Sequence, residues 1–325
     1  MRLRVLLMIC LAAAGGLRAQ FNLYLEQQID LRSREVTALQ ISKDGRFLAC
    51  GTEEGTVFIR DISAKRDLQS IQAHRGAVHA LQFDSRSQRL VTGGSDGKIR
   101  AWDLYSGTQE LEIRDYGSGI ADLALSPDDR YLAAAGNRKE VYLWEFPAGR
   151  LKGRLKGHKK RVLGAAFSSG GDQLFSIAED RQMIIWDVNA LTLVRKNSIE
   201  SRTIAGSGID MKSAAFSADR SFAGVGIQEH ILAKGGRGMI FKYNLAFYDW
   251  QTGSEIEILP GNRKDIDFFV ISPDKRYAVT DNSTLQNNRI SFWNIQNGVI
   301  EQNYPVSGKI SALAISENGK WLAGA

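Results

Sequence analysis

GSDGKIRAWDLYSG, residues 94–107, reads as a tight turn, a strand ending in Trp-Asp, and a second turn. Further along the chain, AEDRQMIIWDVNAL (178–191) places Trp and Asp in the same slots. Such a recurrence calls for a search for the period. The residue closing each apolar strand supplies one: Ser42 in LQIS, Asp84 in LQFD, Ser126 in LALS, Ser168 and Ser217 in AAFS, Ser272 in VIS and Ser316 in AIS. The steps are 42, 42, 42, 49, 55 and 44. A second landmark closes a later strand in each unit, at Arg60-Asp61, Trp102-Asp103, Trp144-Glu145, Trp186-Asp187, Tyr248-Asp249 and Trp293-Asn294, and its first three steps are again 42. Two landmarks holding one period exclude coincidence, because chance matches would drift apart.

Within each unit the order is strand, polar turn such as SPDDR (126–130) or SPDKR (272–276), strand, turn, strand ending in the aromatic–acid pair, turn, and an alternating strand such as QELEIRD. Short strands joined by tight turns predict a four-stranded antiparallel sheet per unit. One such sheet buries its faces poorly alone, and radial stacking of a series covers both.

Gly157-His158, the matching His74, the turn Asp96-Gly97 or Glu179-Asp180, and Trp-Asp at the strand end resemble WD40 repeats across essentially all of residues 25–325. The likeness is strongest in the second, third and fourth units; the first has Arg60 and the fifth Tyr248 where Trp is expected. The resemblance implies an all-β, WD40-like β-propeller of four-stranded antiparallel blades. Seven blades are expected, the last incomplete in this chain. The units lie near 34–74, 75–117, 118–158, 159–201, 202–262, 263–308 and, in part, 309–325. Residues 25–33 align with an outermost-strand slot, and in similar propellers such a segment closes the last blade. The last unit supplies two strands, so two readings stay open: a fragment of a longer chain, or a blade of three strands. A longer chain could carry a peptidase-like domain.

The family's hydrogen-bonded tetrad carries over where every member is present. These are His74, Thr92, Asp96 and Trp102 in the second unit, and His158, Ser176, Asp180 and Trp186 in the fourth; offsets of 22 from His to Asp and 6 from Asp to Trp hold in both. The turn Asp would fix the His tautomer, the His would bind the hydroxyl, and the hydroxyl would hold the indole N–H, each bond netting about 1 kcal/mol. Two of the four histidines are thereby structural rather than metal ligands.

Residues 1–19, MRLRVLLMICLAAAGGLRA, have a charged start at Arg2 and Arg4, an apolar run from Val5 to Ala14 and a small residue at Ala19. That order is expected of a signal peptide cleaved after Ala19, leaving residues 20–325 as the propeller in a secreted or periplasmic setting. The apolar run falls well short of the ~20 residues that span a bilayer, so no stable membrane insertion is expected. The leader holds Arg2, Arg4 and Arg18, so the net charge of +6 falls to +3, with 39 basic against 36 acidic residues. Cys50 is then the only cysteine, which excludes an internal disulfide and a cysteine-rich metal site.

Other motifs lose to the repeat. GGSDG (93–97) matches the G-x-S-x-G nucleophile elbow at Ser95, but that elbow needs a strand-to-helix turn and here the turn joins two strands. GVG (224–226) and GGRG (235–238) precede no helix and make no phosphate loop. No catalytic set, cofactor or metal is expected. A quinone-dependent propeller oxidoreductase is the competing reading, from WDLYSG and YDWQTG, but its Trp lies on the wrong side of the T-G turn. The run RLKGRLKGHKKR (150–161) reads over 150–156 as an outermost strand with its charges in water, protecting an exposed edge. Near-balanced charge and missing interleaved aromatics argue against nucleic acid as a partner.

The function expected is a non-catalytic scaffold binding a protein or an acidic or extended peptide, its oligomeric state open. Departures from the period point to where. The interval from Trp186 to Ser217 is 31 against 24 for Trp102 to Ser126, adding 7 around NSIESRTIAGSGIDMK. The interval from Phe216 to Tyr248 is 32 against 19 for Phe83 to Trp102, adding 13 in GIQEHILAKGGRGMIFKYN. In WD40-like propellers both kinds of connection open on one face. Lys159, Lys160, Arg161, His230, Lys234, Arg237 and Phe241 should then form a basic and aromatic partner surface there.

Overall fold

The computed structural model describes the chain except residues 1–2, 13–20, 32–34, 200–207, 218–220, 233–238, 250–251, 263–265, 267, 283–287, 307 and 309. Its described strands form seven four-stranded antiparallel sheets. Blade one holds β3 (Val36–Ile41) to β6 (Arg66–Gln72), blade two β7 (Val78–Phe83) to β10 (Gln109–Ile113), and blade three β11 (Ile120–Leu125) to β14 (Arg150–Lys156). Blade four holds β15 (Val162–Phe167) to β18 (Thr192–Ser198), blade five β19 (Gly208–Phe216) to β22 (Glu255–Asn262), and blade six β23 (Phe269–Ile271) to β26 (Ile300–Pro305). The seventh sheet runs in the order β2 (Phe21–Leu31), β1 (Leu3–Ala12), β28 (Trp321–Gly324), β27 (Leu313–Ile315).

The chain falls into two compact units, Met1–Asn137 with Tyr142–Gly153 and Lys309–Ala325, and Arg138–Val141 with Arg154–Gly308. In the first, the inner strands β27, β3, β7 and β11 follow one another in contact; in the second, β15, β19 and β23 do so.

The strand-closing landmark is a hairpin clamp. Ser42 N–H donates to the Phe47 carbonyl at 2.9 Å while Phe47 N–H donates to Ser42 Oγ at 2.8 Å. The exchange recurs between Ser126 and Tyr131, Ser168 and Gln173, Ser217 and Phe222, Ser272 and Tyr277, and Ser316 and Trp321, with Asp84 and Arg89 as the carboxylate version. One small acceptor thus satisfies a turn donor that the ladder cannot reach. Another bond ties each of the first four second-to-third-strand turns to the connection before it: Glu53 N–H to Glu35 O, Ser95 to Ala77, Asn137 to Gly119 and Glu179 to Arg161, in steps of 42.

Burial falls from the middle strands outward. β12 (Tyr131–Gly136), YLAAAG, is buried at all but its first residue, as expected of a strand covered on both faces. The outermost β14 is mostly exposed: Leu155 is buried, Leu151 is 38% exposed, and Lys152 Nζ stands 4.9 Å over the Tyr131 ring.

Two findings differ from the sequence reading. The C-terminal residues do supply only two strands of the last blade, but the N-terminal residues supply the other two. β2 takes the outermost place, covering 25–31 of the expected closing segment; residues 32–33 lie outside the described residues. β1, drawn from the leader-like segment, takes the third place, pairing Leu6 with Gly324 and Ile9 with Trp321. Secondly, much of the longer addition, in blade five, is strand rather than loop. β20 (Phe222–Leu232) and β21 (Met239–Asp249) run 11 residues each where their blade-two counterparts run 6 and 5, and they pair without a break from Phe222 and Asp249 to Leu232 and Met239.

Candidate functional site

The turns after β8 (Arg89–Gly94) and β16 (Gln173–Ala178) present one hydrogen-bonded assembly twice. In blade two, His74 Nδ1 lies 2.8 Å from Asp96 Oδ1 and its Nε2 lies 2.8 Å from Thr92 Oγ1, which also accepts the Trp102 indole N–H at 3.0 Å. In blade four, His158 Nδ1 lies 3.1 Å from Asp180 Oδ1, its Nε2 lies 2.8 Å from Ser176 Oγ, and Trp186 donates to that Oγ at 2.8 Å. Burial lowers the pKa of both imidazoles and the partner aspartates only partly restore it, so each ring is neutral at pH 7. Burial alone would push the Asp96 carboxyl up, but bonds from His74, Arg100 and the Lys98 N–H outweigh it and hold it at about 2. With both ring nitrogens engaged and no group of three or more His, Cys, Asp or Glu arranged for a cation among the described residues, the assembly offers hydrogen bonding rather than coordination.

The other blades keep parts of it. Blade three has Tyr116, Ala134 and Arg138 in the His, hydroxyl and Asp slots, and the buried Trp144 indole N–H has no hydrogen-bond partner among the described residues. Tyr142 stacks on Trp144 at 5.7 Å, with Tyr116 edge-on to Tyr142. Blade one has Cys50 in the hydroxyl slot, its thiol pushed up to about 12 by burial. Blade six keeps, among the described residues, the indole bond, from Trp293 to Thr280 Oγ1 at 3.1 Å.

Asp180 also opens onto solvent-facing chemistry. Its Oδ2 accepts the Lys159 N–H at 2.6 Å, fixing the connection into blade four against the turn 179–181. A cavity of about 330 Å³ forms there, lined by Lys159, Lys160, Glu179, Asp180, Arg181 and Ile209. Arg161 lies beside it, with Nη1 3.8 Å from Glu179 Oε1. Arg181 has φ +62° at a corner where blades one and two use Gly55 and Gly97. Ile209, near the start of β19, is 8% exposed and belongs to the apolar cluster joining blades four and five.

The extended hairpin of blade five presents a second set on its opposite face. Register pairs His230 with Gly208 and with Phe241, and Asp210 with Gln228, so these side chains share one face. That face continues into Leu245 and Phe247, which pack with Phe269 and Trp293 of blade six. His230 Nε2 lies 3.1 Å from Asp210 Oδ2 and its ring stands edge-on to Phe241 at 5.1 Å; Phe241 is 48% exposed.

The structure therefore sets Lys159 and Lys160 in one cavity with Arg161 at its rim, and His230 with Phe241 across the blade-five sheet from Ile209. Lys234 and Arg237 lie outside the described residues. Arg181 and Ile209 belong to no motif that singles them out in the sequence. A signal for Arg181 was nonetheless present, since the turn holding it follows the connection at the spacing that Ser95 keeps from Ala77 and Asn137 from Gly119.

The sequence profile of the Nucleolar protein 10-like N-terminal domain, a β-propeller domain, matches residues 11–149, and that of the WD domain, G-beta repeat, matches residues 149–187. No protein of curated function matches the chain.

Proposed function

We propose that this chain is a non-catalytic β-propeller scaffold of the WD40 kind that binds a protein or peptide partner at the outer end of blades four and five, a reading supported by the profile matches over residues 11–149 and 149–187. One observation carries the reading: the repeat departs from its period where the hairpin is extended, and the same region holds a cationic cavity and an exposed aromatic. Extra chain length held on a rigid scaffold is where binding residues gather. The cations Lys159, Lys160 and Arg161 and the aromatic Phe241 favour an acidic, extended partner. Trp102, the indole of WDLYSG, donates to Thr92 inside its blade, which weighs against the quinone-enzyme reading there; Trp250, of YDWQTG, lies outside the described residues.

We further propose an exported setting, on the leader-like order of residues 1–19. In a precursor these residues include β1; cleavage after Ala19 removes the strand that lies between β2 and β28. Mass spectrometry of protein from its native host should find an N-terminus at Gln20, and intact Met1 from the cytosol would refute export.

The binding face is tested by replacing residues 229–242 with Asn-Gly, which closes the hairpin on the register pair Gln228 and Tyr243 with a turn suited to that short a loop. Partner recovery from native extract should fall while the protein stays folded. Unchanged recovery by a stable variant rules this face out.

A further inference from the structure

We infer that the cavity at the end of blade four binds an acidic side chain and the apolar residue beside it in an extended peptide. The inference rests on the scaffold reading above and supplies the chemistry that its partner must carry.

The charge balance around the cavity favours an anion. Glu179 faces Arg161 at 3.8 Å, and the Asp180 oxygens are taken by His158 and by the N–H groups of Lys159 and Gln182. Lys159, Lys160 and Arg181 remain, all exposed and all lining the space. Setting these three and Arg161 against Glu179 and Asp180 leaves the surroundings with a net charge of two positive.

The donors distinguish a carboxylate from a phosphate. Phosphate sites commonly use a nest of free backbone N–H groups. Four of the N–H groups at this corner are already engaged: Lys159 N–H and Gln182 N–H on Asp180, Glu179 N–H on the Arg161 carbonyl, and Arg181 N–H on the Ala178 carbonyl. Side chains then supply most of the recognition, and a guanidinium fork with two ammonium groups suits a planar carboxylate. Ile209 gives the lining one apolar member, against which a neighbouring aliphatic side chain can desolvate. At about 330 Å³ the cavity sits at the small end of ligand pockets, enough for two side chains rather than a folded element.

Arg181→Gly is the decisive variant, because glycine adopts the φ of +62° more readily than arginine and removes the guanidinium without endangering the turn. The probe is an acetylated, amidated hexapeptide of alternating glutamate and leucine, titrated calorimetrically. Arg181→Gly and Lys160→Gln should each weaken binding by about tenfold, Ile209→Ser should weaken it comparably, and a glutamine–leucine hexapeptide should bind far more weakly to the parent. Binding unchanged by Arg181→Gly overturns the inference, as does inorganic phosphate displacing the peptide at equal concentration. If the hexapeptide contacts are lost in Arg181→Gly while native partner recovery fails only on trimming the hairpin, the cavity stands and the placement of the main partner moves to the His230 face. If Arg181→Gly leaves the hexapeptide bound and hairpin trimming still abolishes recovery, the cavity falls and the scaffold reading survives.

Discussion

The Trp186 indole N–H donates to Ser176 Oγ at 2.8 Å, and that single bond ties the third strand of blade four to the second. The same hydroxyl takes His158 Nε2, so one oxygen joins the third strand to the connection that precedes the blade. Trp186 is 1% exposed and Trp102 is 7% exposed in the matching place. Trp186→Ala and Trp102→Ala should each lower stability by about 3–5 kcal/mol, the usual cost of deleting a buried aromatic. Urea midpoints settle this, and a variant indistinguishable from the parent would show that the two environments are not equivalent.

Acid should weaken the protein in two stages. His74 and His158 have folded pKa values below the 6.5 of the unfolded chain, so below pH 6.5 the unfolded state takes up protons that the folded state refuses. Their contribution is fully present above 6.5 and is lost as pH falls toward the folded values. Asp96 adds stability above its unfolded 3.8 that disappears as pH falls to about 2. Urea unfolding at a series of pH values should show both declines. A His74→Gln, His158→Gln double variant should be less stable at neutral pH yet should lose the first decline.

Blade three offers the reverse experiment. Trp144 is fully buried with no partner for its N–H among the described residues, and Ala134 stands where blades two and four have Thr92 and Ser176. Ala134→Ser puts a hydroxyl in the slot from which Thr92 accepts the Trp102 indole N–H at 3.0 Å. Thermal unfolding should show a gain of about 1 kcal/mol. A loss would mean that this core has no room for one more atom.

Gly94 shows how closely the tetrad is fitted. A Cβ there would stand 2.6 Å from His74 Cγ, inside any real contact. Gly94→Ala should cost about 1–3 kcal/mol by overpacking. In a His74→Gly background, which also removes the His74 Cβ that would stand 2.9 Å away, the same change should cost much less, so a double-mutant cycle giving no coupling would separate the two sites.

The architecture was legible because each blade must solve the same problem with the same parts. Ser42, Ser126 and Ser316 mark strand ends because a small acceptor is needed to clamp each hairpin, and that need repeats with the fold. Trp102 and Trp186 were legible for the same reason. What escaped was set by tertiary context. Nothing in LRVLLMICLA distinguishes an export leader from a blade strand until β28 is there to pair with it. The insertion count alone suggested a loop, and the pairing of IQEHIL with MIFKYN appears only once the two segments are side by side. The cavity was half legible: Lys159 and Lys160 follow a recognisable His158, but Arg181 gains meaning only when Glu179 N–H reaches the Arg161 carbonyl and brings the two segments together.

The repeat in this chain is a repeat of hydrogen-bonded parts, and the indole N–H groups report on those parts individually. Hydrogen exchange of assigned indole resonances is the direct measurement. Trp102, Trp186 and Trp293, whose N–H groups donate to Thr92, Ser176 and Thr280, should exchange slowly and lose protection only when their blades open. If Trp102 and Trp186 exchange as fast as an exposed indole in the folded protein, the shared assembly does not exist and the repeat must be explained some other way.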